Sequence, residues 1–392
     1  MNEGSGKVPV PEPLAAYGRR DVVIVGAGVI GLVTAWRALQ RGLTVTLVDP
    51  EPGSKASHVA AGMLAPVSEV TYGEEPMLRL GLASLDRYPA FVAELEDVTG
   101  QDTGYRADGL LQVAFDGGDL ASLDDLRRFQ ESLGVRAEAL TGRECRKLEP
   151  MLAPSVRGGL LTPDDGSIDP RRLTAALLTA VDRAGGELVR LRAADVIVER
   201  DTAVGVRLAD GSEIRAGRVV LAAGPWIGDL GGLPPDIVPP VRPVKGQVLR
   251  LKTTVPFLTR ATWGLVRGAS IYLVPRANGE IVVGATQEEV GYDTTITAGG
   301  IWELLRDARE VLPGITELEF TEVNASLRPG SPDDAPILGP AALPGLFLAA
   351  GHFRDGVLLT PVTGDVMAEV LAGGELPAVA KAFTPDRFDK GA

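Results

Sequence analysis

Hydrophobic and polar positions follow two textures along the chain. Asp21 to Val25 is an unbroken β-branched run, which predicts a strand buried on both faces. From Leu32 to Arg41 no proline intervenes, Leu32, Val33, Ala35, Trp36 and Leu39 make an apolar side, and Gly42 can end this helix in a left-handed conformation. Thr44 to Val48 is a second strand. The same texture returns later: Arg171 to Ala184 is amphipathic with Leu173, Ala176, Leu177 and Val181 on one side, and Glu187 to Leu191 and Asp195 to Glu199 predict strands. A hairpin-like turn at Ala209-Asp210-Gly211-Ser212 precedes the buried strand Arg218 to Ala223. Leu346 to Val357 predicts a buried strand running into a glycine-flanked turn, followed by a helix over Leu358 to Leu371. Strands alternating with helices predict an α/β domain with a parallel, Rossmann-type sheet.

The second texture begins beyond a proline-dense linker, Pro234 to Pro243. Lys245 to Leu251, Ser270 to Pro275 and Glu280 to Ala285 alternate or run apolar over short lengths, and Asn278-Gly279 is a strong hairpin signal between the last two. This predicts an antiparallel sheet, with a helix over Trp302 to Val311 lying on it and a strand from Leu318 to Ala325 leading back. Residues 76–150 read as a helical, charge-rich excursion with one strand-like piece, Gly109 to Phe115. Gly158 to Leu161 and the PDDGSIDP stretch bring the chain home. The expected organisation is a mobile tail at 1–20, a discontinuous first domain at 21–87, 160–232 and 325–385, and a second α+β domain at 88–159 and 233–324.

Composition narrows the function. The chain has 392 residues, enough for two domains, and its 45% hydrophobic and 23% charged content is that of a soluble globular protein. A formal charge of −13 disfavours nucleic acid, whose binding relies on neutralising phosphates with Lys and Arg. No apolar run approaches the ~20 residues of a membrane span, and the cytoplasm is the expected location. One cysteine, Cys145, excludes an internal disulfide and any multi-thiolate metal site, so no metal is expected. With two histidines, His58 and His352, and no G-x-S-x-G, the chemistry of an enzyme here falls to a cofactor.

Gly26-Ala27-Gly28-Val29-Ile30-Gly31 is G-x-G-x-x-G where a strand hands over to a helix. Gly26 permits the tight turn, Gly28 lets the backbone lie close to a pyrophosphate, and Gly31 lets the helix pack on the sheet. The helix then offers its first amides and the positive end of its dipole to the phosphates. Asp49 closes the second strand, where an acid can accept hydrogen bonds from a ribose 2′-hydroxyl, which argues against a 2′-phosphate and leaves NAD and FAD. The loop Pro52 to Pro66 is rich in small residues and suits a backbone lying flat against a broad isoalloxazine ring, with Met63 as wall or core filler. Val196 falls where an adenine would lie if its strand joins the sheet edge. Trp226 follows the strand end Ala223-Gly224, beside which such cofactors sit. The helix start after the GHFRDGV turn can hold negative charge at the N1/C2 carbonyl end of a reduced flavin.

The pieces VVIVGAGVIGL, AAGMLAP, RPVKGQVLRL, YLVPR followed by VVGAT, LRPGSPD and GHFRDGVLLTP, between residues 21 and 361, together resemble the FAD-dependent amine oxidase superfamily of D-amino-acid oxidase and sarcosine oxidase. Within it they are most similar to the glycine oxidases of thiamine biosynthesis. The resemblance implies a Rossmann-type FAD-binding domain, a substrate domain on an antiparallel sheet, and oxidative deamination of glycine and other small amino acids or amines. The products would be an imine or 2-oxo acid, with molecular oxygen reduced to hydrogen peroxide; a homo-oligomer is expected. By position Arg328 becomes the guanidinium that grips the substrate carboxylate, and Tyr272 a hydroxyl beside it. A planar fork matches a carboxylate, and Pro329-Gly330 read as the turn presenting it. Met63 and Arg354 fall at the flavin or the mouth of the site, and Val196 meets the adenine through its main chain. Ser57, Ala61, Gly62, Ala223, Gly224, Trp226, His352, Gly356, Val357 and Leu358 join the expected cofactor contacts. Two departures stand out. Arg354-Asp355-Gly356 replaces the expected Arg-Asn-Gly, and Val59 occupies the slot of the histidine that carries covalent flavin in some relatives, one position after His58; the FAD is expected to be non-covalent. A sarcosine, proline or D-amino-acid oxidase or dehydrogenase, and a non-catalytic FAD-binding protein, are the alternatives.

Overall fold

The computed structural model describes residues 20–266 and 268–388. The tail expected at 1–20 lies outside the described residues but for Arg20, which opens the first strand. That strand, Arg20–Val25, sits between Glu213–Leu221 and Val45–Val48 in a sheet whose spatial order continues outward to Leu346–Ala350 and Ile337–Pro340 on one side and Glu187–Val189 on the other. All of these pairs are parallel except the outermost, Ile337–Pro340 with Leu346–Ala350. Val22 and Ile24 pack into one apolar cluster and Val23 and Val25 into another on the opposite face, which is why the run carries no polar alternation. A parallel sheet covered on both faces confirms the Rossmann-type architecture.

The helix expected from Leu32 starts at Val29, inside the glycine motif, and runs to Gln40. Helices Pro170–Arg183 and Thr360–Leu371 pack against it. Tyr88, Phe91, Val92 and Leu95 of the helix Tyr88–Thr99 join this same core, with Phe91 edge-on to Trp36 at 5.7 Å, beyond the boundary expected at residue 87. Thr202–Leu208 pairs antiparallel with Glu213–Leu221 and carries Ala193–Glu199 antiparallel on its other edge.

The second sheet has the order Glu319–Gly330, Arg242–Lys252, Glu280–Gly284, Ala269–Pro275, Ala261–Val266, Leu110–Ala114, Gly158–Thr162, Glu138–Thr141. It is antiparallel except where Ala261–Val266 runs parallel to Leu110–Ala114. Three features differ from the sequence expectation. Gly158–Thr162 pairs within this sheet, so the chain returns only after it. The Ala261–Val266 strand escaped notice because Thr262 and Gly264 interrupt its apolar run. Arg328-Pro329-Gly330 is not a turn but the end of the long strand Glu319–Gly330, where an edge position tolerates a proline that cannot donate to a ladder.

Alternation along these strands gives the sheet two unlike faces. On one, Leu249, Leu251, Ile271, Leu273, Ile281 and Val283 pack beneath Leu304, Ala308 and Val311 of the helix Ala298–Val311. The other face carries Gly246, Val248, Arg250, Tyr272, Val274 and Arg276, and turns toward the parallel sheet. The cavity lies between the two.

Candidate active site

A cavity of about 520 Å³ runs from the helix start at Gly28 to the second sheet. Gly26 holds φ +103°, and a Cβ there would lie 2.6 Å from the Ala222 carbonyl carbon. At Gly31 a Cβ would run into the Gly26 carbonyl, so the helix can cross the strand end this closely only with glycine. Gly26, Gly28, Val29 and Ile30 line the cavity, whereas Ala27 and Gly31 support it from behind. Ser57 Oγ accepts from the Val29 amide at 3.0 Å and lies 3.3 Å from where a Gly28 side chain would begin. Asp49 lines the same end. Its Oδ2 accepts from the Ala27 amide at 2.7 Å and its Oδ1 from the Glu51 amide at 2.8 Å, leaving one lone pair on each oxygen.

Val196 is not brought to the cavity. It is 2% exposed, and its amide donates to the Gly231 carbonyl at 2.9 Å. The strand it lies on pairs with the hanging hairpin and not with the edge at Glu187–Val189, so the wall at this point falls to Arg192 and Ala193. Ala223, Gly224 and Trp226 do line the cavity, and Tyr292 reaches over from the second domain to donate to the Pro225 carbonyl at 2.9 Å.

The small-residue loop contains one turn of helix, Ala56–Val59, and the pair Met63–Leu64 bonded to Gly166–Ser167. Its carbonyls are held by three arginines, Arg250 and Arg276 from the second sheet and Arg171 from the helix Pro170–Arg183. Arg276 donates to Ala61 O and, at 2.8 Å, to Ile168 O; Arg250 and Arg171 donate to His58 O at 3.3 and 3.0 Å. Arg276 and Arg250 are 7% and 1% exposed, so these are charge-assisted bonds shielded from water. Ser57, Ala61, Gly62 and Met63 thereby face the cavity.

At the second-sheet end two side chains converge. Arg328 lies over Gly246, where a Cβ would sit 2.5 Å from both Nη1 and Nη2. Tyr272 lies over Gly284, where a Cβ would sit 2.5 Å from Cζ. These glycines belong to neighbouring strands, flanked by the strands that carry Arg328 and Tyr272, so the guanidinium and the phenol meet above the pair. Among the described residues Arg328 forms no ion pair; its Nη1 donates to the Lys245 and Thr286 carbonyls at 3.4 and 3.2 Å. Burial raises the Tyr272 hydroxyl above its ordinary value, against the pull of Arg328, and keeps it a donor.

His352, Arg354, Gly356, Val357 and Leu358 line the cavity beside the start of Thr360–Leu371. His352 Nε2 lies 3.0 Å from Thr363 Oγ1, and burial pushes the imidazole down to about 3, so it is neutral. Sequence reasoning passed over Glu69. Its side chain, 15% exposed, lies 3.3 Å from Arg354 Nε. Burial and the charge of Asp355 push it up to about 8, against the pull of Arg354. No periodicity marks its segment. The tertiary structure places it: Asp165, pushed up to about 6 by burial, accepts from the Val67 and Ser68 amides at 3.3 and 2.9 Å, and Gln130 donates to the Val67 carbonyl at 2.8 Å. Trp263 was also passed over; it lines the cavity with an indole N–H that is buried and unpartnered. For Gly246 a signal did exist, a glycine within a strand run, which marks close approach of another group.

The family model described as FAD-dependent oxidoreductase matches residues 21–370. The chain belongs to this family. It is 33% identical over 360 residues to a glycine oxidase of Geobacillus kaustophilus, covering 90% of this chain and 93% of that protein. The crystal structure of glycine oxidase from that organism superposes with a TM-score of 0.88 at 32% identity, covering 94% of this chain and 99% of the other. A "Bifunctional protein ThiO/ThiG" of Synechocystis is 35% identical over 373 residues, which cover 94% of this chain and 54% of the relative. The chain thus spans about half the length of the bifunctional relatives it matches. FAD is the cofactor of the family, and the cavity fits it. Main-chain amides and a helix start lie at one end for a pyrophosphate, a flat small-residue loop follows, and a second helix start lies beside Gly356. Among the described residues no helix is long and apolar enough to cross a membrane.

Proposed function

We propose that this FAD-dependent oxidoreductase is an amino acid oxidase that deaminates glycine and other small amino acids or amines to the imine or 2-oxo acid, with molecular oxygen reduced to hydrogen peroxide. The observation that carries the reading is the convergence of Arg328 and Tyr272 over two glycines, at the end of the cavity away from the nucleotide motif. A guanidinium with no ion-pair partner among the described residues and a neutral phenol suit a carboxylate, which accepts from both. Gly26, Gly28, Val29 and Ile30 would hold the pyrophosphate of a non-covalent FAD, Asp49 the ribose, and Met63, Arg354 and the residues around Gly356 the flavin end. Bound FAD supplies the acceptor for a hydride leaving the substrate Cα. The protein's part is position: Arg328 and Tyr272 fix the carboxylate, which fixes the Cα–H one bond away. The glycine oxidase relatives, and the bifunctional ones whose name joins two thiamine-pathway symbols, support a role in thiazole formation for thiamine.

The test is a purified sample with a flavin spectrum, assayed for peroxide with glycine, sarcosine, proline and D-alanine. Glycine is expected to give the highest kcat/KM. A flavoprotein whose absorbance none of the four bleaches anaerobically would overturn the proposal.

A further inference from the structure

Glu69 lines the cavity together with both members of the proposed carboxylate grip, Arg328 and Tyr272; its charge helps to hold the Tyr272 hydroxyl up, and Arg328 pulls against the rise at Glu69 itself. In an α-amino acid the nitrogen and the carboxylate share a single carbon. A grip on the carboxylate by Arg328 and Tyr272 therefore delivers an ammonium group close by, into a partly desolvated cavity where an unpaired charge is costly. Trp263, whose unpartnered indole N–H lines the same end, is a donor and cannot receive it. Glu69 can. Arg354 Nε is the cation within ion-pair distance of it among the described residues, at 3.3 Å to Oε2, and no described N–H or O–H donates to Oε1.

We propose that Glu69 receives the amino group of the substrate and takes a proton from it. Resting on the oxidase reading above, the step deepens it. One N–H bond of the substrate ammonium breaks, an O–H bond forms on Glu69, and the nitrogen keeps its electron pair. A neutral amine can push hydride from Cα, whereas an ammonium has no pair to give. Arg354, 3.3 Å from Glu69 through Nε, also feels the charges of Asp355, Glu74 and Asp334. Asp355 and Asp165 add negative charge around Glu69, and Arg354 and Arg328 oppose them; burial is the largest influence. The productive enzyme carries ionised Glu69, so kcat/KM for an amino acid falls with slope one as pH drops through the raised pKa of this carboxyl, an acid limb well above the ordinary carboxylate range.

The experiment uses the FAD-loaded protein, Glu69→Gln and Glu69→Asp. Two unreactive probes are titrated by the change in the flavin spectrum: acetate, a carboxylate with no amino group, and 2-aminoisobutyrate, an amino acid with no hydrogen on Cα. For Glu69→Gln we expect FAD retained, acetate binding unchanged, 2-aminoisobutyrate binding weakened about tenfold or more, and glycine turnover reduced ~10²-fold with the acid limb gone. Glu69→Asp should restore a displaced acid limb. Equal weakening of both probes, or an acid limb that persists in Glu69→Gln, would overturn the assignment and leave Glu69 a structural partner of Arg354. If no amine reduces the wild-type flavin, the oxidase reading fails by itself, while the ratio of the two probe affinities still reports on Glu69.

Discussion

At the nucleotide end the cavity wall is largely main chain, supplied by Gly26, Gly28, Val29 and Ile30 in one continuous turn, with the side-chain oxygens of Asp49 and Ser57 bonded back to its amides. At the other end the wall is side chain, with Arg328, Tyr272, Glu69 and Trp263 coming from strands and loops up to 259 residues apart, and the glycines serve only to clear space beneath them. The first design suits a ligand portion made of phosphates, which any run of amides at a helix start can hold. The second suits selection among small molecules, because exchanging one side chain changes the chemistry and leaves the backbone alone. Cofactor affinity and substrate choice are therefore separable, and substitutions at one end should leave the other intact.

The largest expected effect is at the main-chain end. Gly28→Val places branched carbons beside Ser57 Oγ, already 3.3 Å from the Cβ position, and in the path of the pyrophosphate. The protein should purify folded and colourless, with circular dichroism like the parent's and no flavin band; a fully yellow variant would remove the distinction between the two ends. Next comes Arg328→Leu. Losing a charge-assisted grip on a carboxylate is worth roughly 3–4 kcal/mol, within the range for truncating one partner of a buried charge pair, so kcat/KM should fall about 10²–10³-fold while the flavin band persists. Loss of FAD in that variant would show that Arg328 belongs to the cofactor.

The same contrast explains what could be read without coordinates. The nucleotide end was legible because its residues are contiguous and each obeys a local steric rule: an apolar run, glycines at fixed offsets, a helix, an acid. Only the helix boundary moved, from Leu32 to Val29, since the motif itself forms the first turn. Arg328 and Tyr272 came from resemblance, and residue patterns alone would not have joined them; their meeting depends on a strand order that sets the hairpin 269–284 beside Arg242–Lys252 and Glu319–Gly330, both distant from it in sequence. The position of Val196 off the cavity lining has a related cause. Its strand was expected at the edge of the parallel sheet, but it pairs with Thr202–Leu208, whose register no local pattern specifies. Glu69 was silent because its position is set by Asp165 and Gln130, 96 and 61 residues further along.

Two smaller perturbations sharpen the comparison. Gly246→Ala inserts a methyl 2.5 Å from both guanidinium nitrogens of Arg328, so that side chain must swing aside. Turnover of carboxylate substrates should drop roughly tenfold to 10²-fold, short of Arg328→Leu because a displaced guanidinium still attracts an anion. The check is kcat/KM at saturating FAD; no change would mean that Gly246 does not shape the grip.

Asp49→Asn should have the smallest effect. Asp49 presents two acceptor oxygens to the Ala27 and Glu51 amides, whereas asparagine offers one, so one of those amides loses its partner and the acceptor capacity facing a ribose falls. A net hydrogen bond of about 1 kcal/mol predicts an FAD Kd raised roughly fivefold to tenfold, read by fluorescence titration of the apoprotein. With FAD in excess, kcat and KM for glycine should match those of the parent. A changed kcat at saturating FAD would mean that the nucleotide end reaches into the chemistry, because the bonds Asp49 makes are to the amides of Ala27 and Glu51, both at that end.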